Sequence, residues 1–132
     1  KAIDVFNYGK HTRDFTYVDD IVEGIIKTLD NSAVRNSNWN SNQPDAGSSN
    51  APWCIYNIGN NKQIQLMKYI EALEKSIGKK AKINFLPLQK GDVQDTHANV
   101  DKLKLKFDYK ASTEINEGID NFVKWYKNYY KL

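Results

Sequence analysis

The sequence predicts an α/β fold, and three observations lead there. Strand-forming runs stand at 3–8, 54–58 and 81–88. Apolar residues recur at helical spacing over 20–30, 64–77 and again from Ile115. The two kinds alternate, giving the order β, α, loop, β, α, β, α, α. A length of 132 residues fits one domain, and 40% apolar with 12% aromatic residues can build a core.

Each element has a local cause. Ile3, Val5, Phe6 and Tyr8 are strand formers, and Gly9-Lys10-His11-Thr12 then turns the chain. Arg13 to Val18 reads as a short extended segment. Asp19 or Asp20 suits a helix N-cap, because a carboxylate accepts from free backbone N–H groups. Ile21, Val22, Ile25, Ile26 and Leu29 follow on one face, predicting a helix over 20–30.

Residues 31–52 are dominated by Asn, Ser, Asp, Gly and Pro, so ordering entropy outweighs what they can bury. This is a polar, mobile loop, in which Trp39 either pins the loop to the body or stands exposed. Cys54-Ile55-Tyr56-Asn57-Ile58 reads as a buried strand ending at Gly59, with Cys54 buried and inert. Ile64, Met67, Ile70, Leu73 and Ile77 mark a helix closed by Gly78. Ala81, Ile83, Phe85 and Leu86 form a strand, and Gln89-Lys90-Gly91-Asp92 is a polar loop. Asn99 caps a helix over 100–107, and Ser112 or Thr113 opens the last helix. There Ile115, Ile119, Phe122, Tyr126 and Tyr129 share a stripe whose spacing predicts core packing.

Composition excludes several classes. No window approaches the roughly 18 apolar residues a membrane span needs. One cysteine allows no internal disulfide, and no Cys/His cluster offers a metal site. A net charge of +3, from 19 basic and 16 acidic residues, is too balanced to imply nucleic acid or an anionic membrane. Arg13 to Val18 superficially copies an RNA-binding aromatic strand, but Asp14 stands where that strand needs glycine, and Asp19-Asp20 adds negative charge. His11 and His97 lack an obvious nucleophile partner and read as surface residues. No G-x-G-x-x-G or G-x-x-G-x-x-G cradle is present, and no Tyr is followed four positions later by Lys. Lys1 is not methionine and the chain opens inside a strand-like run. It therefore reads as a fragment, or else as a mature protein without its leader.

Three stretches carry a resemblance: Ile3 to Gly9 leading into Arg13-Asp14-Phe15-Thr16-Tyr17-Val18-Asp19-Asp20-Ile21, then Tyr56-Asn57-Ile58-Gly59-Asn60, then Leu86 to Val93. Together they resemble the carboxy-terminal part of an extended short-chain dehydrogenase/reductase acting on nucleotide sugars, most of all the UDP-glucuronate 4-epimerases. The resemblance implies that residues 1–132 are the substrate-binding portion of a Rossmann-type enzyme whose amino-terminal Rossmann half is absent. That half would hold NAD and the Tyr-x-x-x-Lys pair, so the chain alone would carry neither cofactor nor catalytic residue.

The resemblance also assigns residues. Arg13 becomes a ligand of the UDP diphosphate, for which a guanidinium is chemically suited; otherwise it pairs with Asp14 or Asp19 on the surface. Asp4-Val5-Phe6 aligns with the uracil pocket, with Phe6 either on the base or in the core. Gln89 and Asp92 align with a loop reaching phosphate and ribose. Asp92 there is a ribose acceptor or a loop cap. The implied reaction is oxidation at C4, rotation of the 4-keto sugar and re-reduction. A dehydratase or decarboxylase of the same family is the other reading. Expected partners are a UDP-sugar and the missing Rossmann domain, with self-association of the fragment, and the expected location is cytoplasmic.

Overall fold

Ile3–Val5 forms β1, the first of four three-residue strands in a computed structural model that describes Lys1–Leu132. β1 stops earlier than the strand predicted over 3–8. Phe6–Gly9 coils into a 3-10 turn with Asn7 and Tyr8 in the left-handed region, φ 50° and 51°. Asn tolerates that conformation, and its Nδ2 donates to Lys10 O at 2.8 Å. A bulky Tyr there is strained.

Thr12–Asp14 is β2 and Val18–Leu29 is α1. Gln63–Gln65 is β3 and runs directly into α2, Leu66–Ile77. Gly78 closes α2 at φ 78°, as the sequence predicts, with its N–H on Glu74 O at 2.9 Å. Ile83–Phe85 is β4, Asp101–Phe107 is α3 and Ile115–Tyr130 is α4. The α/β class and all four helices stand.

The strands make two small ladders. β1 pairs in parallel with β4, with Ile3 opposite Ile83 and Val5 opposite Phe85. β2 pairs antiparallel with β3, with Arg13 opposite Ile64. On its other side β2 meets the segment after β4: Thr12 N donates to Gln94 O at 3.3 Å and Thr96 N to Thr12 O at 3.2 Å. β2 is therefore gripped from both sides, which fixes Arg13.

Three expectations are corrected. Cys54 to Ile58 is not a strand: it makes a single bridge, Cys54 to Ser48, with Ile55 N donating to Gly47 O at 2.9 Å, and Ile55 and Asn57 are exposed. Its side chains serve the core instead, where Tyr56 and Ile58 pack on Leu103, Tyr109 and Ala111. Asp20 does not cap α1. Helix α1 starts after Tyr17, and Asp20 is buried within its first turn, reaching across to accept from Ser112 N at 3.1 Å and Thr113 N at 3.2 Å. The predicted core stripes are largely uncovered. On α1, Val18, Val22, Ile25, Ile26 and Leu29 are 45–76% exposed, while the buried positions are Asp20 and Gly24. On α4, Ile119 and Val123 are buried, but Phe122, Tyr126 and Tyr129 are exposed together with Trp125 and Tyr130. The helical periodicity is real; this chain has no element to lay over those faces.

Residues 31–52 carry no helix or strand, as predicted, and Trp39 is half-buried. Asn36, Asn40 and Asp45 each accept from the backbone N–H two residues on, which gives the loop a series of side-chain-closed turns. Asn99 is not the N-cap expected of it: Val100 takes that place, and Asn99 Oδ1 accepts from Asp101 N at 2.9 Å, closing a turn just before α3.

Candidate functional site

Strand β2 and the loop after β4 bring Arg13 and Asp92 together. Arg13 Nη2 lies 3.4 Å from Asp92 Oδ1 and donates to Val93 O at 2.8 Å. Its Nη1 donates to Gln94 O at 2.7 Å and to Thr12 O at 2.9 Å. The partner of Arg13 is thus Asp92, and neither Asp14 nor Asp19. The loop collects acceptors around one permanent cation, and the longest of the four contacts is the carboxylate. That contact is the one most easily exchanged for an anionic ligand.

The other predicted residues attach to the same loop. Val5 is buried, and its carbonyl accepts from Leu86 N at 2.9 Å at the start of the loop. Phe6 is half-buried in the turn that follows, and Tyr8 N returns to Leu86 O at 3.0 Å. Gln89 is exposed; its carbonyl accepts from Asp92 N at 3.1 Å across a turn containing Gly91 at φ 84°. So Gln89 shapes the loop through its backbone, and Asp92 points its carboxylate back toward β2.

Sequence reasoning missed two residues beside these. His11 is not a surface residue: it is 3% exposed, with Nδ1 3.0 Å from Gln94 O and Nε2 3.5 Å from Asp92 Oδ2. Asp14 is a hub. Its Oδ1 accepts from Asn60 N, and its Oδ2 from Asn61 N and Ala98 N, each at 3.0 Å. Gly59 is needed there, since a Cβ would sit 2.5 Å from Ala98 Cβ and 3.2 Å from Asp14 Oδ2. The partners of Asp14 lie more than 45 residues away, so no local pattern announces them.

Two further features stand apart from these residues. Phe15 stacks on Tyr69 at 4.2 Å and lines an apolar cleft of about 240 Å³ with Tyr17, Ile115, Gly118 and Phe122. Arg13, Asp92 and His11 do not line this cleft; His11 is buried, and Arg13 and Asp92 are partly exposed. Cys54, predicted inert, is half-buried. Burial pushes its thiol up, but the hydrogen bonds of Tyr56 and Lys102 and the charges of Lys102 and Lys106 outweigh this and hold it below its ordinary value.

No part of the chain forms a dinucleotide cradle. The nearest pair of its seven glycines is Gly47 and Gly59, and the four helices start after Tyr17, Gln65, Val100 and Glu114, with no glycine-rich turn before any of them. The residues present do not fit NAD. The structure shows no group of side chains that could hold a metal ion, and no helix long and apolar enough to cross a membrane.

Residues 2–122 match the family described as GDP-mannose 4,6 dehydratase. The chain belongs to that family. It is 50% identical over 131 residues to Protein CapI of Staphylococcus aureus, covering 99% of this chain and 39% of that protein. It is 38% identical over 135 residues to the "Probable UDP-glucuronate 4-epimerase" of Rhizobium meliloti strain 1021, with the same coverages of 99% and 39%. The UDP-glucuronic acid 4-epimerase of Bacillus cereus, solved with UDP-glucuronic acid and NAD, superposes with a TM-score of 0.75 at 28% identity, covering 98% of this chain and 36% of that one. The chain therefore spans 39% of the length of these curated relatives. The resemblance to extended short-chain dehydrogenase/reductase nucleotide-sugar enzymes, drawn from Arg13 to Ile21 and Leu86 to Val93, is borne out at the level of the family.

Proposed function

We propose that this chain is the substrate-binding, carboxy-terminal portion of an NAD-dependent nucleotide-sugar 4-epimerase that interconverts UDP-glucuronate and UDP-galacturonate. The reading is supported by the similarity to UDP-glucuronate 4-epimerases and by one piece of geometry: Arg13 and Asp92, from segments 79 residues apart, meet as a partly exposed pair. A guanidinium matches a diphosphate, and a carboxylate matches ribose hydroxyls. The two hold each other, and four acceptors satisfy both terminal nitrogens of Arg13. Diphosphate replaces Asp92 on Nη2, and the released carboxylate turns to the ribose. Val5, Phe6 and Gln89 complete the nucleotide side of the site, with Phe6 packing on the base.

NAD, the catalytic Tyr-Lys pair and the redox step belong, in this proposal, to a Rossmann portion of the protein outside residues 1–132. This chain binds and orients the substrate and is inactive alone. The test is steady-state kinetics of Arg13→Ala in the full-length enzyme. Diphosphate binding is shared by ground and transition states, so KM should rise about tenfold or more while kcat changes less. An unchanged KM rejects the role of Arg13.

A further inference from the structure

His11 carries a ring nitrogen that the fold leaves unpaired. Its Nδ1 lies 3.0 Å from Gln94 O, and a carbonyl only accepts, so Nδ1 carries a proton in either charge state. In the neutral ring Nε2 is then an acceptor. It is buried without a hydrogen-bond partner and faces another acceptor, Asp92 Oδ2, at 3.5 Å. One added proton turns this opposition into a charge-assisted pair. The same carboxylate makes the longest of the four contacts on Arg13.

We propose that His11 is a positioning residue for binding of the nucleotide-sugar diphosphate: protonated on Nε2, it draws Asp92 off Arg13 and leaves the guanidinium free to take the anion. The inference rests on the nucleotide-sugar reading above. With a neutral ring, Arg13 and Asp92 neutralise each other. With a charged ring, the three groups together carry one positive charge, and an incoming diphosphate meets both an exposed fork and a favourable field. Gln94 O ties the arrangement together, accepting from Thr12 N, from His11 Nδ1 and from Arg13 Nη1.

The charged surroundings are few. The loop offers Asp92, Lys90 and Asp95, the last accepting from Thr12 Oγ1 at 2.5 Å. The turn holding His11 offers the exposed Lys10, and β2 offers Arg13. Helix α2 meets His11 through Leu66 N, 2.9 Å from His11 O, and its first charged residue is Lys68. Asp92 is the one carboxylate within 4.0 Å of the ring nitrogens.

The experiment is calorimetric titration of UDP-glucuronate into the full-length protein between pH 8 and pH 6. The charge of this ligand is constant over that range. The wild type should bind roughly fivefold more tightly at pH 6 than at pH 8, the effect of one added charge near the surface. His11→Asn places an amide N–H near the Nδ1 position but cannot take up a proton, so its Kd should not change with pH. Asp92→Asn leaves no carboxylate to be drawn off Arg13, so only the field of the added charge remains and its slope should fall below that of the wild type; a slope as steep as the wild type's overturns the role of His11 even if His11→Asn does not fold. In wild-type kinetics the same shift should fall on KM rather than kcat. A wild-type Kd that is flat with pH, or a His11→Asn slope as steep as the wild type, overturns the role of His11 and leaves the nucleotide-sugar reading intact. Failure of UDP-glucuronate to bind the wild type at any pH overturns both.

Discussion

Arg13 and Asp14 are neighbours in sequence with opposite tasks. Arg13 is partly exposed and held by a carboxylate and three carbonyls, a set suited to exchange with a ligand. Asp14 is locked by three backbone N–H groups from Asn60, Asn61 and Ala98, which no ligand can replace. Asp14→Ala strands all three donors in a half-buried setting and should cost about 2–4 kcal/mol of unfolding free energy, by the usual worth of hydrogen bonds to a charged group. Asp14→Asn keeps one acceptor oxygen and should cost less. Chemical denaturation of the full-length protein checks both, and a loss below about 1 kcal/mol for the alanine variant would contradict the structural role. The resemblance drew attention to Arg13 and Asp92, but said nothing of Asp14 in the same motif. The sequence hid His11 and Asp14, because what makes them matter is a backbone carbonyl at Gln94 and amides at 60, 61 and 98, and backbone groups leave no mark in side-chain patterns.

At the scale of elements, periodicity carried most of the information. Helix α2 and its Gly78 terminus follow from the apolar spacing and one glycine, and α3 starts one residue later than a cap at Asn99 would place it. Strands were harder. β3 is Gln63-Ile64-Gln65, too short and too polar to stand out, and exists because β2 needs a partner on that side. The apolar run from Cys54 to Ile58 looked more strand-like and is not one, since its side chains go into the core around Leu103 and Tyr109. Asp20 shows the same long-range logic between elements. Placed in the first turn of α1, it accepts the amides of Ser112 and Thr113 just before α4, and so fastens one helix to the approach of the other. Burial of the nearby Tyr109 ring is the main cause of its raised hydroxyl pKa, with the charge of Asp20 adding to it. Asp20→Ala removes both bonds from a buried position and should cost about 2–3 kcal/mol. Amide exchange should accelerate at Ser112 and Thr113 more than along α2, whose hydrogen bonds do not involve Asp20. Equal acceleration in both places would mean general destabilisation and would count against a fastener between α1 and α4.

At the scale of the molecule, the exposed helix faces and the proposed division of labour meet in one quantity. The chain presents 9811 Å² to solvent and buries 15 of 132 residues. A compact monomer of 15.2 kDa would expose about 7,100 Å², so this chain shows roughly 2,700 Å² more. The polar 31–52 loop accounts for part of the excess, but much of it is apolar: the α1 stripe from Val18 to Leu29, and the α4 aromatics Phe122, Trp125, Tyr126, Tyr129 and Tyr130, which pack on one another instead of on a core. Exposed apolar side chains gathered on two helix faces are the kind of surface that an interface covers. In the proposed whole enzyme the remaining polypeptide covers them. Residues 1–132 produced alone should therefore self-associate. Sedimentation velocity should show the monomer fraction falling as concentration rises, with salt having little effect because the faces are apolar. Adding the remaining polypeptide as a separate chain should dissolve the self-association in favour of a one-to-one complex. A monomer that stays monomeric across the concentration range would mean that the exposed stripes are not a complementary face, and it would remove the physical argument for a covering portion.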